Sequence, residues 1–278
     1  MVSRARIFVL LAALLAPLLI APAASALESS WVEAANSKVR LLAGGAADKE
    51  FLRAGIEIQL KRGWHTYWRY AGDAGIPPHF DWSGSKNIAA VEILWPAPTR
   101  IRVEDGIESI GYYDSVALPL RVRPQDPTKP VALLLNLKFG VCEKICIPAS
   151  AKAALEIPSG SGAPSLVLKA AEARVPVKAK LGAAGTLRVL GNKFERGKAP
   201  RVLVDVAGPP GVPLDLFAEG PTEAWALPLP RRIEAKDGRA RFVVPIDGAP
   251  TGGSPIPRNL RLTLVAGPDA IEVMVPLD

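Results

Sequence analysis

Apolar and polar residues alternate along most of this chain. GIEIQLKRGWHTYW, AAVEILW, SVALPLRVRP, VALLLNLKFG and AKAALEI carry apolar side chains at nearly every second position, with many β-branched and aromatic residues among them. Period-two alternation in runs this short predicts half-buried strands. Their arrival roughly every ten residues predicts an antiparallel β-sandwich. After Ile157 the texture changes. PSGSGAPS reads as a flexible joint, and SLVLKAAEARVP (165–176) as one short helix ending before Pro176. Strand-like runs then resume as TLRVL, RVLVDVA, PLDLFA, ARFVVPI, NLRLTLVAG and AIEVMVPL.

The pattern divides the chain into a first β-rich unit at 27–160, a linker with one short helix at 161–177, and a second β-sandwich at 178–278. Proline (27) and glycine (24) punctuate the runs rather than filling one low-complexity block, which agrees with many short strands. The two halves also echo each other. LLLNLKFGVCEKICIPASAKAALEIP closes the first and LRLTLVAGPDAIEVMVPL the second, both as strand, turn, strand. Duplication and convergent strand composition both account for this.

Residues 1–26 follow a different rule. Arg4 and Arg6 precede an apolar run at 7–21, and Ala24-Ser25-Ala26 offers a small-residue cleavage site. The expected reading is a cleaved secretory signal with Leu27 as the new start, rather than an uncleaved anchor. No cysteine follows the apolar run and no twin-arginine pair precedes it, so lipid attachment and twin-arginine export are not expected. The protein is expected in the periplasm, without stable membrane insertion, where disulfides persist.

Net charge is +7, or +5 without the two leader arginines. The basic residues, among them Lys61-Arg62, Arg121, Arg123 and Arg231-Arg232, are scattered beside acids or prolines. That is a solvated surface, and nucleic-acid binding is not expected. Two histidines and no G-x-S-x-G leave a serine triad unsupported. GSGAP and GPPG are turn-forming runs, and neither G-x-G-x-x-G nor G-x-x-x-x-G-K-[ST] occurs.

FGVCEKICIPAS holds the only two cysteines, Cys142 and Cys146. With strand-like flanks and Pro148 nearby, a turn between two strands is expected there. A disulfide closing a loop this short contributes only about 2 kcal/mol, which two large cores scarcely need. A reactive dithiol is therefore favoured over a structural staple. Metal binding by Cys142, Cys146, His65 and His79 is a third possibility, although C-x3-C is not the usual zinc spacing. Lys144 would favour a thiolate and Glu143 oppose it, so which cysteine attacks stays open.

GWHTYWRYAGDAGIPPHFDW, ILWPAP, IGYYDSVALPLRV and FGVCEKICIPAS, in this order, resemble the amino-terminal periplasmic domain of the DsbD/ScsB thiol–disulfide reductases, over about residues 30–158. The resemblance implies an immunoglobulin-like sandwich with the two cysteines on neighbouring strands, so the expected fold is all-β, two such sandwiches joined by the short helix. It implies that Cys142 and Cys146 are the redox pair and that His65 and Tyr67 belong to the active-site wall. The family's best-known members separate their cysteines by more residues. Some members shield the disulfide with an aromatic-bearing loop. The matching stretch, 102–109, has no aromatic residue, which makes Ile107 or Tyr112 the expected substitutes. For the tryptophans 64, 68 and 82, sandwich core and rim is the preferred reading.

Full reductases of this kind continue into a membrane domain and a thioredoxin-like domain, neither of which this sequence contains. The expected function is a thiol–disulfide relay without a cofactor. Its expected partners are periplasmic thioredoxin-like or disulfide isomerase proteins and a separate membrane electron donor. The competing readings are an inert tandem-sandwich adaptor and a soft-metal carrier, the latter suggested by the link between ScsB and copper tolerance.

Overall fold

The computed structural model describes residues 27–277 apart from 49, 103–105, 160–163 and 253–255. The leader at 1–26 and the centre of the PSGSGAPS joint lie outside the described residues.

The first half holds eleven strands: β1 (Val32–Ala34), β2 (Ser37–Ala46), β3 (Leu52–Leu60), β4 (His65–Gly72), β5 (His79–Asp81), β6 (Ile88–Ile93), β7 (Thr99–Arg102), β8 (Glu108–Tyr113), β9 (Ser115–Pro124), β10 (Val131–Cys142) and β11 (Cys146–Ile157). One sheet runs β1-β2-β3-β9-β6. The other runs β11-β10-β4-β8-β7, with β5 also paired to β10. All of these pairings are antiparallel. The alternation seen in the sequence becomes the core directly. Val39, Leu41, Ile56, Ile58, Leu118 and Leu120 of the first sheet pack against Leu133, Leu135, Leu137, Phe139 and Val141 of β10. The odd-numbered residues of β10 and β11 face this core, so Cys142 and Cys146, both even, project from the opposite, outer face.

One helix, α1 (Leu166–Glu172), follows, capped by Ser165, whose Oγ accepts from the Leu168 N–H at 3.2 Å. It is shorter than the stretch expected from sequence. The second half forms two four-stranded sheets, from β12 (Val177–Ala179), β13 (Arg188–Glu195), β14 (Arg201–Ala207), β15 (Leu214–Glu219), β16 (Arg231–Lys236), β17 (Arg239–Pro245), β18 (Asn259–Ala266) and β19 (Asp269–Pro276). Their orders are β12-β19-β18-β15 and β13-β14-β17-β16. The short β12 lies parallel to β19, a departure from the otherwise antiparallel pairing. Between these sheets lies a second core that includes Val204, Leu216, Phe242, Leu262 and Val273.

The halves interlock. Phe217 and Leu229 of the second half belong to the first core, and the Phe217 ring lies 6.0 Å from that of Trp68. Arg69 of β4 donates to Glu219 at 2.8 and 2.7 Å and to Glu272 at 2.7 Å. The Tyr70 hydroxyl donates to the Leu227 carbonyl. Arg100 of β7 joins Asp215 at 2.9 Å while also holding Glu108 at 2.7 Å. One end of β4 is therefore anchored to the second half. Its other end carries His65 and Tyr67.

Candidate functional site

β10 and β11 form a long hairpin whose last register pair is Cys142 opposite Cys146. Their Cα atoms are 4.2 Å apart, the close spacing of a non-hydrogen-bonded antiparallel pair. The two sulfurs are joined in a disulfide, closed over the turn Glu143-Lys144-Ile145. Proximity therefore follows from strand register, and the turn has only to reverse the chain.

The same register extends sideways. Cys142 pairs with His65 on β4, and His65 pairs with Tyr113 on β8. Directly opposed residues project from the same side of a sheet. Cys146, Cys142, His65 and Tyr113 thus form one row across four strands, on the outer face, with Tyr67 two residues along β4 on that same face.

Tyr67 holds both sulfurs. Its hydroxyl lies 2.6 Å from Cys142 Sγ and 2.9 Å from Cys146 Sγ, and its proton can point to either. The residue is 2% exposed, and burial raises the pKa of its hydroxyl, so it remains a donor. Two glycines make room for the ring. A Cβ at Gly140 would lie 2.8 Å from Tyr67 Cε2, and one at Gly75 would lie 2.2 Å from Cε1. Gly75 also has a φ of 144°, which side chains rarely adopt. The Gly140 N–H donates to the Ile76 carbonyl at 3.2 Å, which fixes the 73–78 loop beside the ring.

The cover is uneven, and that decides the chemistry available. Cys142 is 1% exposed, packed with Tyr67 and Ala71, whereas Cys146 is exposed. Around the open sulfur, Ile145 (77% exposed) sits in the turn, and Tyr113 (43%) ends the row. An attacking or attacked sulfur must be reached nearly in line with the bond that breaks, so Cys146 is the sulfur open to another protein.

His65 is buried at 3% exposure, with Nε2 lacking a hydrogen-bond partner. Its ring meets those of Tyr67 at 5.5 Å and Tyr113 at 5.8 Å, both edge-on. Burial lowers its pKa, which favours the neutral imidazole.

The structure thus brings Cys142, Cys146, His65 and Tyr67 together. It does not bring Tyr112. That residue lies on the inner face, opposite Thr66, and its hydroxyl donates to the Pro96 carbonyl at 2.8 Å, so it belongs to the core. The neighbouring Tyr113 takes the place beside His65. Ile107 is exposed just before β8, at the end of that strand away from Tyr113. Part of the expected shielding loop, 103–105, lies outside the described residues. Among the described residues, Cys142 packs with Tyr67 and Ala71 of β4. The readable signals were Gly75 and Gly140, which sequence analysis passed over. Trp68 is fully buried in the first core, with Trp64 and Trp82 packed against it.

Among the described residues, no group of three or more His, Cys, Asp or Glu is arranged to hold a metal ion. His79 is exposed and pairs with Lys138, four residues along β10 from Cys142, which is about 13 Å of strand. Nor, among these residues, is any helix long and apolar enough to cross a membrane.

Comparison with known proteins agrees with this geometry. A family model described as "Thiol:disulfide interchange protein DsbD, N-terminal" matches residues 38–158. Residues 38–158, somewhat under half of the chain, are thus similar to the DsbD amino-terminal domain family. The matched residues include every strand of the first half except β1, together with both cysteines. The fold of the whole chain is similar to the N-terminal periplasmic domain of ScsB from Proteus mirabilis, with a TM-score of 0.68 and 20% identity, over 91% of this chain and 99% of that one. This likeness extends past the DsbD domain, so the second sandwich has a counterpart in that fold. No curated protein matches the chain.

Proposed function

We propose that this chain is a periplasmic thiol–disulfide relay, passing electrons through the Cys142/Cys146 dithiol to partner proteins. The observation that carries this is the asymmetry of the pair: Cys146 exposed, Cys142 buried, and both sulfurs within hydrogen-bond reach of one tyrosine hydroxyl. The similarity of residues 38–158, which include both cysteines, to the DsbD amino-terminal family supports it.

In the delivery step, the Cys146 thiolate attacks one sulfur of an oxidised partner. The partner's disulfide breaks, a mixed disulfide forms, and the first partner sulfur leaves as a thiolate. Cys142 then loses its proton and attacks Cys146 Sγ. The mixed disulfide breaks, the second partner sulfur leaves, and Cys142–Cys146 closes again. Two electrons have passed to the partner, whose two thiolates take up the Cys142 proton and one from solvent. Loading is the reverse, with a donor dithiol attacking Cys146. Tyr67 donates a hydrogen bond to whichever sulfur bears negative charge, and such bonds to charged groups are among the stronger ones. A thioredoxin-like donor or acceptor would meet the rim of Ile145, Tyr113 and Ile76.

The structural-clip reading has less support. The bond closes a loop spanning a sequence separation of only 4, so it constrains the unfolded chain little. Within this proposal 27–160 is the redox unit, 161–177 the linker, and 178–278 a scaffold gripping β4.

The test is trapping. Reduced Cys142→Ser protein should form a stable one-to-one mixed disulfide with an oxidised thioredoxin-like protein through Cys146, whereas Cys146→Ser should form none. Failure of both variants to trap a partner, with the wild-type pair also inert, would sink the relay.

A further inference from the structure

Cys142 passes through a thiolate in both directions of exchange, yet it does so where water is excluded. It is 1% exposed, and burial disfavours the anion. When Cys142 resolves a mixed disulfide, its proton must go to a neighbouring group. Tyr67 cannot keep it, because burial holds its own hydroxyl protonated.

The neighbouring residue on the other side of β10 can take it. His65 is the direct cross-strand partner of Cys142, on the same face, in a row whose register allows no other residue between them. Its Nε2 is buried and unpartnered, which normally costs free energy unless the atom has work to do. The groups around it are few. From β10 there is Cys142, from its own strand Tyr67, and from β8 Tyr113. Asp114, after Tyr113, turns Oδ1 to the Gly63 N–H at 2.7 Å, and Glu143 and Lys144 are exposed in the hairpin turn. Burial alone accounts for the lowered pKa of His65, so the neutral ring, which has one nitrogen able to accept a proton, is favoured.

We propose that His65 is a catalytic base for the buried sulfur, accepting the Cys142 thiol proton during resolution and returning it during loading. This rests on the relay reading. In resolution the Cys142 S–H proton moves to the imidazole while the sulfur's electron pair forms the bond to Cys146 Sγ. The bond between Cys146 Sγ and the partner sulfur breaks, and the partner leaves as a thiolate. The imidazolium then gives up its proton to that thiolate or to solvent. In loading, the donor thiolate attacks Cys146 and Cys142 departs as a thiolate; when the donor's second thiol displaces Cys146 and closes the donor disulfide, its proton passes through the imidazole to Cys142. The two residues thus divide the work: Tyr67 supplies a hydrogen bond and His65 moves a proton.

Single-turnover reaction of reduced wild-type and His65→Gln proteins with oxidised glutathione, quenched in acid and resolved by mass spectrometry, separates the two steps. The glutamine variant should form the mixed disulfide at nearly the wild-type rate. It should resolve it roughly tenfold or more slowly near neutral pH, a loss at or below the usual range for removing a general base. Its resolution rate should also climb with pH where the wild-type rate has levelled off. An unchanged resolution rate and pH profile would overturn the proposal while leaving the relay intact. A wild-type pair that never exchanges would overturn both. A second measurement needs no variant. The His65 ring resonances, titrated in oxidised and reduced wild-type protein, should show different midpoints, because a titrating sulfur lies beside the ring only after reduction. Identical midpoints would contradict the assignment.

Discussion

Cys142 and Cys146 face each other across the last pair of one hairpin, yet only Cys146 is open to solvent. Strand register brings the sulfurs together, and the cover over one face separates their roles. Tyr67, held between the backbones of Gly75 and Gly140, is the principal part of that cover. In the reduced protein, iodoacetamide should therefore alkylate Cys146 at least about tenfold faster than Cys142, as access and thiolate character dictate. Peptide mapping after brief labelling reads the ratio, and equal labelling would contradict the asymmetry.

Tyr67→Phe keeps the ring and removes the hydroxyl shared by the two sulfurs. A hydrogen bond to a charged group contributes about 1.5–3 kcal/mol, so exchange at neutral pH should slow by roughly ten- to a hundredfold. The melting temperature should change little, since the ring still fills its slot. Stopped-flow exchange and a thermal scan on the same preparation check both halves of this expectation.

Acid should weaken the fold through His65. Its folded pKa lies below the ordinary value because the ring is buried, so the neutral form is favoured in the native state. The contribution is present above the unfolded pKa of about 6.5 and is lost as pH falls through the folded value. Stability of the oxidised protein should decline over that range, and that of His65→Phe should decline less. Urea midpoints between about pH 4 and 7 give the comparison.

Arg69 should matter to both halves. Its guanidinium meets Glu219 and Glu272, with side-chain exposures of 18%, 15% and 19%. Arg69→Ala would leave two carboxylates partly buried, although Arg261 remains 4.0 Å from Glu272. Removing one partner from a buried ion pair costs about 3–5 kcal/mol, and the residual exposure and Arg261 bring the expectation to about 2–3. Chemical denaturation should show the loss, and Glu219→Gln should lose less because it strands no charge.

Much of this fold was legible from alternation. The runs VALLLNLKFG and AKAALEI became β10 and β11, with odd residues inward as period two requires. The hairpin turn between the cysteines was legible too, from strand-like flanks on both sides. Three features were not, each for a physical reason. The face taken by Tyr112 or Tyr113 depends on the parity of β8, and a GYYD run with polar neighbours offers no alternation to set it. The burial of Cys142 under Tyr67 and Ala71 depends on room for the Tyr67 ring, visible only as Gly75 and Gly140. The parallel docking of β12 on β19 joins residues some ninety positions apart, a pairing that no local pattern encodes.

The reduction potential of the Cys142–Cys146 bond tests the central claim most directly, by alkylation trapping of the wild-type protein across glutathione buffers. A working relay predicts a value between about −180 and −270 mV, among the catalytic dithiols, whereas a value well below about −300 mV would identify a bond resistant to reduction and contradict the account.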